Sequence, residues 1–102
     1  MRITLSHAIP YKDTELESLE LDMDSLTGND LVDAEANLRR AYPDAPLWGT
    51  RHTAYIAAKS AHIPAEAIMR LPARDFMAVV VQVMSFFGNT GSEVSAPEIT
   101  DD

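Results

Sequence analysis

Apolar and polar residues alternate in two stretches at the start of the chain. The first contains Ile3 and Leu5, and extending its alternation places His7 on the same face; the second runs from Leu19 to Met23. Alternation of this kind is typical of half-buried strands. The pattern predicts an antiparallel hairpin over about residues 2–24. Because two strands alone are marginally stable, the hairpin needs a helix packed on one of its faces.

The apolar spacing becomes helical after the hairpin. Thr27 can cap a first helix, since its hydroxyl can accept orphan amide hydrogens and Asp30 places negative charge at the helix N-terminus. Thr50 is a cap candidate for a second helix, and Pro64 and Pro72 each fit the first position of a further one. The sequence therefore predicts an α+β fold, mainly helical, in which an N-terminal β-hairpin is followed by three to four α-helices.

The last predicted helix, about residues 73–87, has the strongest pattern in the chain. Its apolar residues cover roughly 220° of the circumference, which is more than packing on one small core requires. The centre of this arc is expected to be core: Phe76, Val80, Val83 and Phe87. Candidates for contact with a partner lie around it: Met77, Val81, Met84 and Phe86. In the alternative arrangement, the hairpin and an alanine-rich helix sandwich this helix and leave no free edge.

Trp48 lies in a loop that also contains prolines. A large aromatic side chain in such a place either folds back over the core or stands out as a binding anchor. Covering the core is the more frequent outcome. Trp48 is therefore a further partner-binding candidate, in addition to the residues of the last helix.

The C-terminal residues 88–102 contain four acidic residues, no basic residue and few apolar ones. Gly88, at their start, is a typical residue for ending a helix. The sequence thus predicts a single α+β domain over residues 1–87 and a flexible, disordered acidic tail over residues 88–102.

Composition narrows the possible functions. The chain has 102 residues, which is enough for about one core. It has no cysteine, which excludes disulfides and thiolate metal sites and fits a reducing cytoplasm. Its net charge of −8 disfavours binding to nucleic acid. No apolar run approaches the roughly 20 residues that cross a bilayer, so we do not expect a membrane partner.

No arrangement of residues predicts catalysis or a cofactor. His7, His52 and His62 have neither the spacing of a metal motif nor an acidic neighbour in sequence. The chain also has no glycine-rich phosphate loop and no nucleophile elbow. We therefore expect a binding protein with no catalytic site, no metal and no cofactor.

One short motif supports a different function. Asp24-Ser25-Leu26 before a helix resembles the phosphopantetheine attachment site of acyl carrier proteins, which are also small and acidic. In that family a helix and a loop precede the serine, whereas here the preceding residues predict strands. A small acidic carrier or adaptor protein is therefore the alternative function.

Several local segments, taken together in their order along the chain, resemble a second protein family. In chain order they are Ile3–Ser6, Ile9-Pro10, Leu19 with Leu21, Leu26–Leu31, Ala57–Lys59, Ile63-Pro64 and Leu71–Phe76. Their order and spacing resemble the small tail assembly chaperones of long contractile-tailed bacteriophages, over about residues 2–87. The chain departs from that family at Tyr11–Thr14, where the usual glycine is absent and a wider turn is expected.

The resemblance implies a function and its partners. It implies a protein of the host bacterial cytoplasm that binds the long helical tape measure protein and keeps it soluble until tail tube subunits replace it. It also implies a longer product, made by ribosomal frameshifting, through which the tail tube protein would be a second partner. A second copy of the chain is the other candidate occupant of the apolar edge, which would make the protein a homo-oligomer.

Overall fold

A β-hairpin and four α-helices form the part of the chain described by the computed structural model, residues 2–94, with side chains described through Gly88. This order confirms the predicted α+β architecture. The strands are β1 (Arg2–Tyr11) and β2 (Thr14–Glu20), and a short 3-10 helix follows at Met23–Ser25. The helices are α1 (Gly28–Ala41), α2 (Thr50–Ala61), α3 (Ala65–Met69) and α4 (Ala73–Val94).

The hairpin is antiparallel but irregular in register. Thr4 pairs with Ser18, and the next pair is Ile9 with Leu16, so β1 bulges between them. A bulge breaks the alternation of faces. His7, which the alternation placed on the core face, lies inside the bulge and is exposed, whereas Ile9 at the end of the bulge is buried. The placement of His7 was wrong for this reason.

Two other details of the hairpin differ from the sequence prediction. The turn is tight, because Tyr11 pairs with Thr14 and only two residues connect the strands. Lys12 takes a left-handed φ of 56° there, a conformation that glycine adopts at lower cost. The second strand also ends at Glu20, so the buried Met23 belongs to the 3-10 helix. The expected wider turn and the strand through Met23 were wrong.

Capping residues explain where the helices begin. At α1 the Thr27 hydroxyl accepts a hydrogen bond from the Asp30 amide at 3.2 Å, and the Thr27 amide donates to the Asp30 carboxylate at 2.9 Å. This reciprocal pair confirms the predicted cap. At α2 the cap is Gly49 and makes no side-chain hydrogen bond, so Thr50 is the first helical residue and not the cap. Pro64 likewise caps α3 from one position before its first residue.

Helix α2 lies at the centre of the fold and contacts α1, α3, α4 and β2. Its small residues allow this, since Ala54 and Ala57 are fully buried and let neighbouring backbones approach. Helix α4 packs on α2 and on β1. The core between these elements includes Leu21, Ile56 and Val79.

A buried carboxylate fixes the start of α4 against the hairpin. The side chain of Asp75 accepts a hydrogen bond from the Ser6 amide at 2.9 Å and another from the Ser6 hydroxyl at 2.9 Å. Asp75 is buried, and Ser6 lies within the bulge of β1. Because these hydrogen bonds join residues 69 positions apart, the contact helps determine which face of α4 points outward.

Helix α4 extends further than the sequence predicted. It continues through Gly88 to Val94, so the predicted end at Gly88 was wrong. Glycine costs only about 1 kcal/mol relative to alanine inside a helix, which does not by itself terminate a well-packed one. Residues 95–102 of the predicted acidic tail lie outside the described residues. The division into a domain of residues 1–87 and a flexible tail stays a prediction.

Candidate partner-binding surface

The apolar residues of α4 are divided between two faces. Val79, Val80 and Val83 are buried on the side that packs on α2 and β1. Phe76 and Phe87 border this side and are half-buried. The prediction that these residues form the core is thus confirmed for Val80 and Val83. It holds only in part for the two phenylalanines, which are half-buried.

The other face of α4 is apolar and uncovered. Met77 is 49% exposed, Val81 53% and Met84 37%, and the exposed Gly88 follows. These four residues, the α4 stripe, are separated by four, three and four positions and so lie along one side of the helix. The alternative in which the hairpin and α2 sandwich α4 from both sides is wrong, because in the described part of the chain these elements leave the stripe partly exposed.

Phe86 does not belong to this exposed face. It lies nine positions after Met77, which at about 100° per residue places it on the far side of the helix. It is half-buried, packs against the core and meets Phe87 edge to face, with ring centroids 5.0 Å apart. The structure therefore separates Phe86 from the three other partner-binding candidates of α4.

Trp48 extends the stripe at its C-terminal end. The residue is 45% exposed, and the centroid of its ring lies 5.3 Å from that of Phe87. Trp48, Met84, Phe87 and Gly88 line an open, mostly apolar hollow of about 450 Å³. Trp48 therefore covers part of the core and still presents a free face. The structure brings it together with Met84, which the sequence could not show.

His52 holds Trp48 in place. Trp48 has a left-handed φ of 65°, and its backbone amide donates a hydrogen bond to Nδ1 of His52 at 2.8 Å. The two rings also meet edge to face at 5.1 Å. Sequence reasoning missed this role of His52. The only signal in the sequence was the spacing of four residues between Trp48 and His52. This spacing places Trp48, which precedes α2, close to the first turn of that helix.

Burial lowers the pKa of His52 below its usual value. The nearby Glu35 opposes this shift and Arg39 adds to it, both more weakly than burial. A neutral imidazole is also what the hydrogen bond needs, because protonated Nδ1 cannot accept from the Trp48 amide. The position of Trp48 therefore depends on the deprotonated form of His52.

This dependence predicts a loss of stability in mild acid. Below an unfolded-state pKa of about 6.5, the unfolded chain takes up a proton that folded His52 resists, so the free energy of unfolding falls as the pH falls. In His52→Asn, whose amide oxygen can replace Nδ1 as acceptor, we expect a smaller loss. Urea unfolding at pH 7.5 and 5.5 measures the difference. Equal losses in both proteins would show that His52 does not cause the effect.

The remaining sequence candidates do not form a site. Among the described residues, no three histidine, aspartate or glutamate side chains lie together as they would around a metal ion. No helix in this part of the chain is both long and apolar enough to cross a membrane. Ser25 is exposed in the 3-10 helix, where its hydroxyl donates to the Asp22 carbonyl at 2.9 Å.

Comparison with known proteins identifies the family. A family model described as phage tail assembly chaperone proteins, E, or 41 or 14, matches residues 2–88. The chain belongs to this family. The resemblance seen in the sequence is thereby confirmed. No curated protein and no solved structure matches the chain.

The match to the tail assembly chaperones includes every residue of the candidate surface. It begins with the hairpin and ends at Gly88, the last residue of the α4 stripe. Membership of this family also argues against the alternative in which the protein is an acyl carrier modified at Ser25. Ser25 is preceded by a hairpin, not by the helix that comes before the attachment serine of acyl carrier proteins.

Proposed function

We propose that this tail assembly chaperone binds the tape measure protein of its phage and keeps that protein soluble while the tail assembles. The supporting observation is the α4 stripe: a face of three large apolar side chains that the described part of the chain leaves about half exposed. Contiguous exposed apolar surface marks interaction sites in soluble domains. A tape measure protein is expected to be a long amphipathic helix, which would aggregate unless its apolar side were covered.

The place and mode of action follow from this function. It acts in the host bacterial cytoplasm, by binding and not by catalysis, and needs no cofactor. Its net charge of −8 would help to keep a complex in solution. The tail tube protein is a second partner, reached through a longer product of frameshifting.

Co-expression tests this function. The tape measure protein encoded near this gene in the same phage genome is produced with and without the chaperone, and its soluble fraction is measured. We expect several times more soluble tape measure protein in the presence of the chaperone, and we expect the two to co-purify. If the tape measure protein remains equally insoluble in both cases, the proposed function is wrong.

A further inference from the structure

The α4 stripe and the hollow beside Trp48 form one continuous track. It begins at Met77, passes Val81 and Met84, and ends at Gly88, where the hollow opens. The track spans 12 residues of helix, whose first and last are 11 steps or about 17 Å apart at the rise of an α-helix. Any ligand that covers it must be elongated, apolar on one side and about three helical turns long.

The spacing along the track is that of a coiled-coil seam. Intervals of four, three and four residues are those between a and d positions of a heptad repeat. A second helix laid along such a seam can insert its own apolar residues between those of the first. At the C-terminal end, the exposed glycine adds no side chain that would obstruct the hollow. The hollow can therefore take one large side chain of that helix.

Helix α4 has no charged residue along the length of the track. From Phe76 to Ser92 the chain contains no acidic or basic residue. Coiled coils ordinarily choose their partner and register through charged residues beside the seam. Without such charges, binding depends on apolar spacing alone, and methionine adapts readily to targets that are similar but not identical. This suits a target that repeats an apolar pattern without repeating its sequence.

A second copy of the chain fits this track less well than a different helix. A track about 17 Å long and about 10 Å wide, the width of one helix, has an area of about 170 Å², much less than the roughly 800 Å² per partner of a typical stable interface. Pairing two copies would also bring together two molecules that each carry a net charge of −8. On a long helix, by contrast, many short contacts can be repeated.

We propose that the α4 stripe and the hollow of Trp48, Met84, Phe87 and Gly88 form a docking track for an amphipathic helix with heptad-spaced apolar residues. This inference rests on the proposed function and specifies its binding site. The docked helix lies along α4 and places one large apolar side chain in the hollow. Each chaperone molecule covers about three turns of its target, so the number bound rises with target length.

Trp48 is the only tryptophan of the chain and reports directly on the track. The probe is a synthetic 28-residue helical peptide without tryptophan, with leucine at heptad a and d positions, alanine beside them and lysine on the far side, used where it is monomeric. A second peptide has the same composition with the leucines spread around the helix. We expect the first to shift the Trp48 emission to shorter wavelength and to bind at least about tenfold more tightly than the second.

Two matched variants locate the binding. Val81→Ser removes the middle of the stripe, and Val32→Ser makes the same change on α1, where Val32 is 64% exposed. We expect Val81→Ser to weaken binding of the heptad peptide about tenfold and Val32→Ser to leave it unchanged. The lysines of the peptide are attracted to a chain of net charge −8, so binding is measured at 500 mM salt, where this attraction is largely screened.

Several outcomes would overturn the inference. Equal binding of both peptides contradicts it, and so does equal weakening in both variants. Sedimentation that shows wild-type dimers and monomeric Val81→Ser would make a second copy the occupant of the track. If wild type and Val81→Ser keep the tape measure protein equally soluble, the proposed function is supported and the proposed docking track is wrong. If wild type fails to keep it soluble, the function itself falls.

Discussion

Val83→Ser is expected to lower the free energy of unfolding by about 2–4 kcal/mol, whereas Val81→Ser lowers it by less than about 0.5 kcal/mol. The two valines are two positions apart on α4, and the substitution is the same. Val83 is fully buried against the core, so serine leaves a cavity and places a hydroxyl among apolar atoms. Val81 is 53% exposed and its replacement costs only helix propensity and a little packing.

Urea unfolding of the two variants and of wild type measures this difference. The midpoint of Val83→Ser should fall strongly at an unchanged slope, and that of Val81→Ser should stay near wild type. The pair tests whether α4 has one core face and one free face. If Val81→Ser were as destabilising as Val83→Ser, the stripe would be part of the core and unavailable to any partner.

The double variant Met77→Ser/Val81→Ser is expected to lose most of its ability to keep the tape measure protein soluble while remaining folded. Both side chains are about half exposed, so the fold gains little from them. A docked helix would bury the exposed half of each, which contributes about half of the 1.5–3 kcal/mol that full burial of a side chain of this size gives. The combined effect is expected to be a fall in affinity of about ten- to a hundredfold.

The assay is the soluble fraction of co-expressed tape measure protein, with circular dichroism to show that the variant is folded. Val32→Ser is the control, because it removes an exposed apolar side chain from another helix. It should behave as wild type. Equal loss in the control and the double variant would point to a general effect of surface hydrophobicity and not to a site on α4.

Local patterns in the sequence were sufficient to predict most of the fold. The alternation at Ile3 and Leu5 gave the first strand, and the reciprocal contact of Thr27 and Asp30 is fixed by their spacing alone. The apolar arc of α4 also predicted which side would be free, since an arc wider than one core must have an edge left over. Met77, Val81 and Met84 are exposed as the candidate edge requires.

The errors arose where contacts distant in sequence decide the local structure. The bulge that exposes His7 lies where Ser6 binds Asp75, 69 positions later, and no local pattern shows this pairing. Helix α4 passes Gly88 because a long helix that is already well packed can include a glycine. Trp48 joins Met84 and Phe87 in one hollow only because α4 packs along α2.

Site-specific crosslinking can locate the bound tape measure protein, which we expect to lie on the α4 stripe. A photoreactive amino acid is placed at position 81 in one protein and at position 32 in another, and each is co-expressed with the tape measure protein and irradiated. We expect a covalent adduct with the tape measure protein from position 81 and little or none from position 32. A soluble complex that crosslinks from position 32 and not from position 81 would contradict the account.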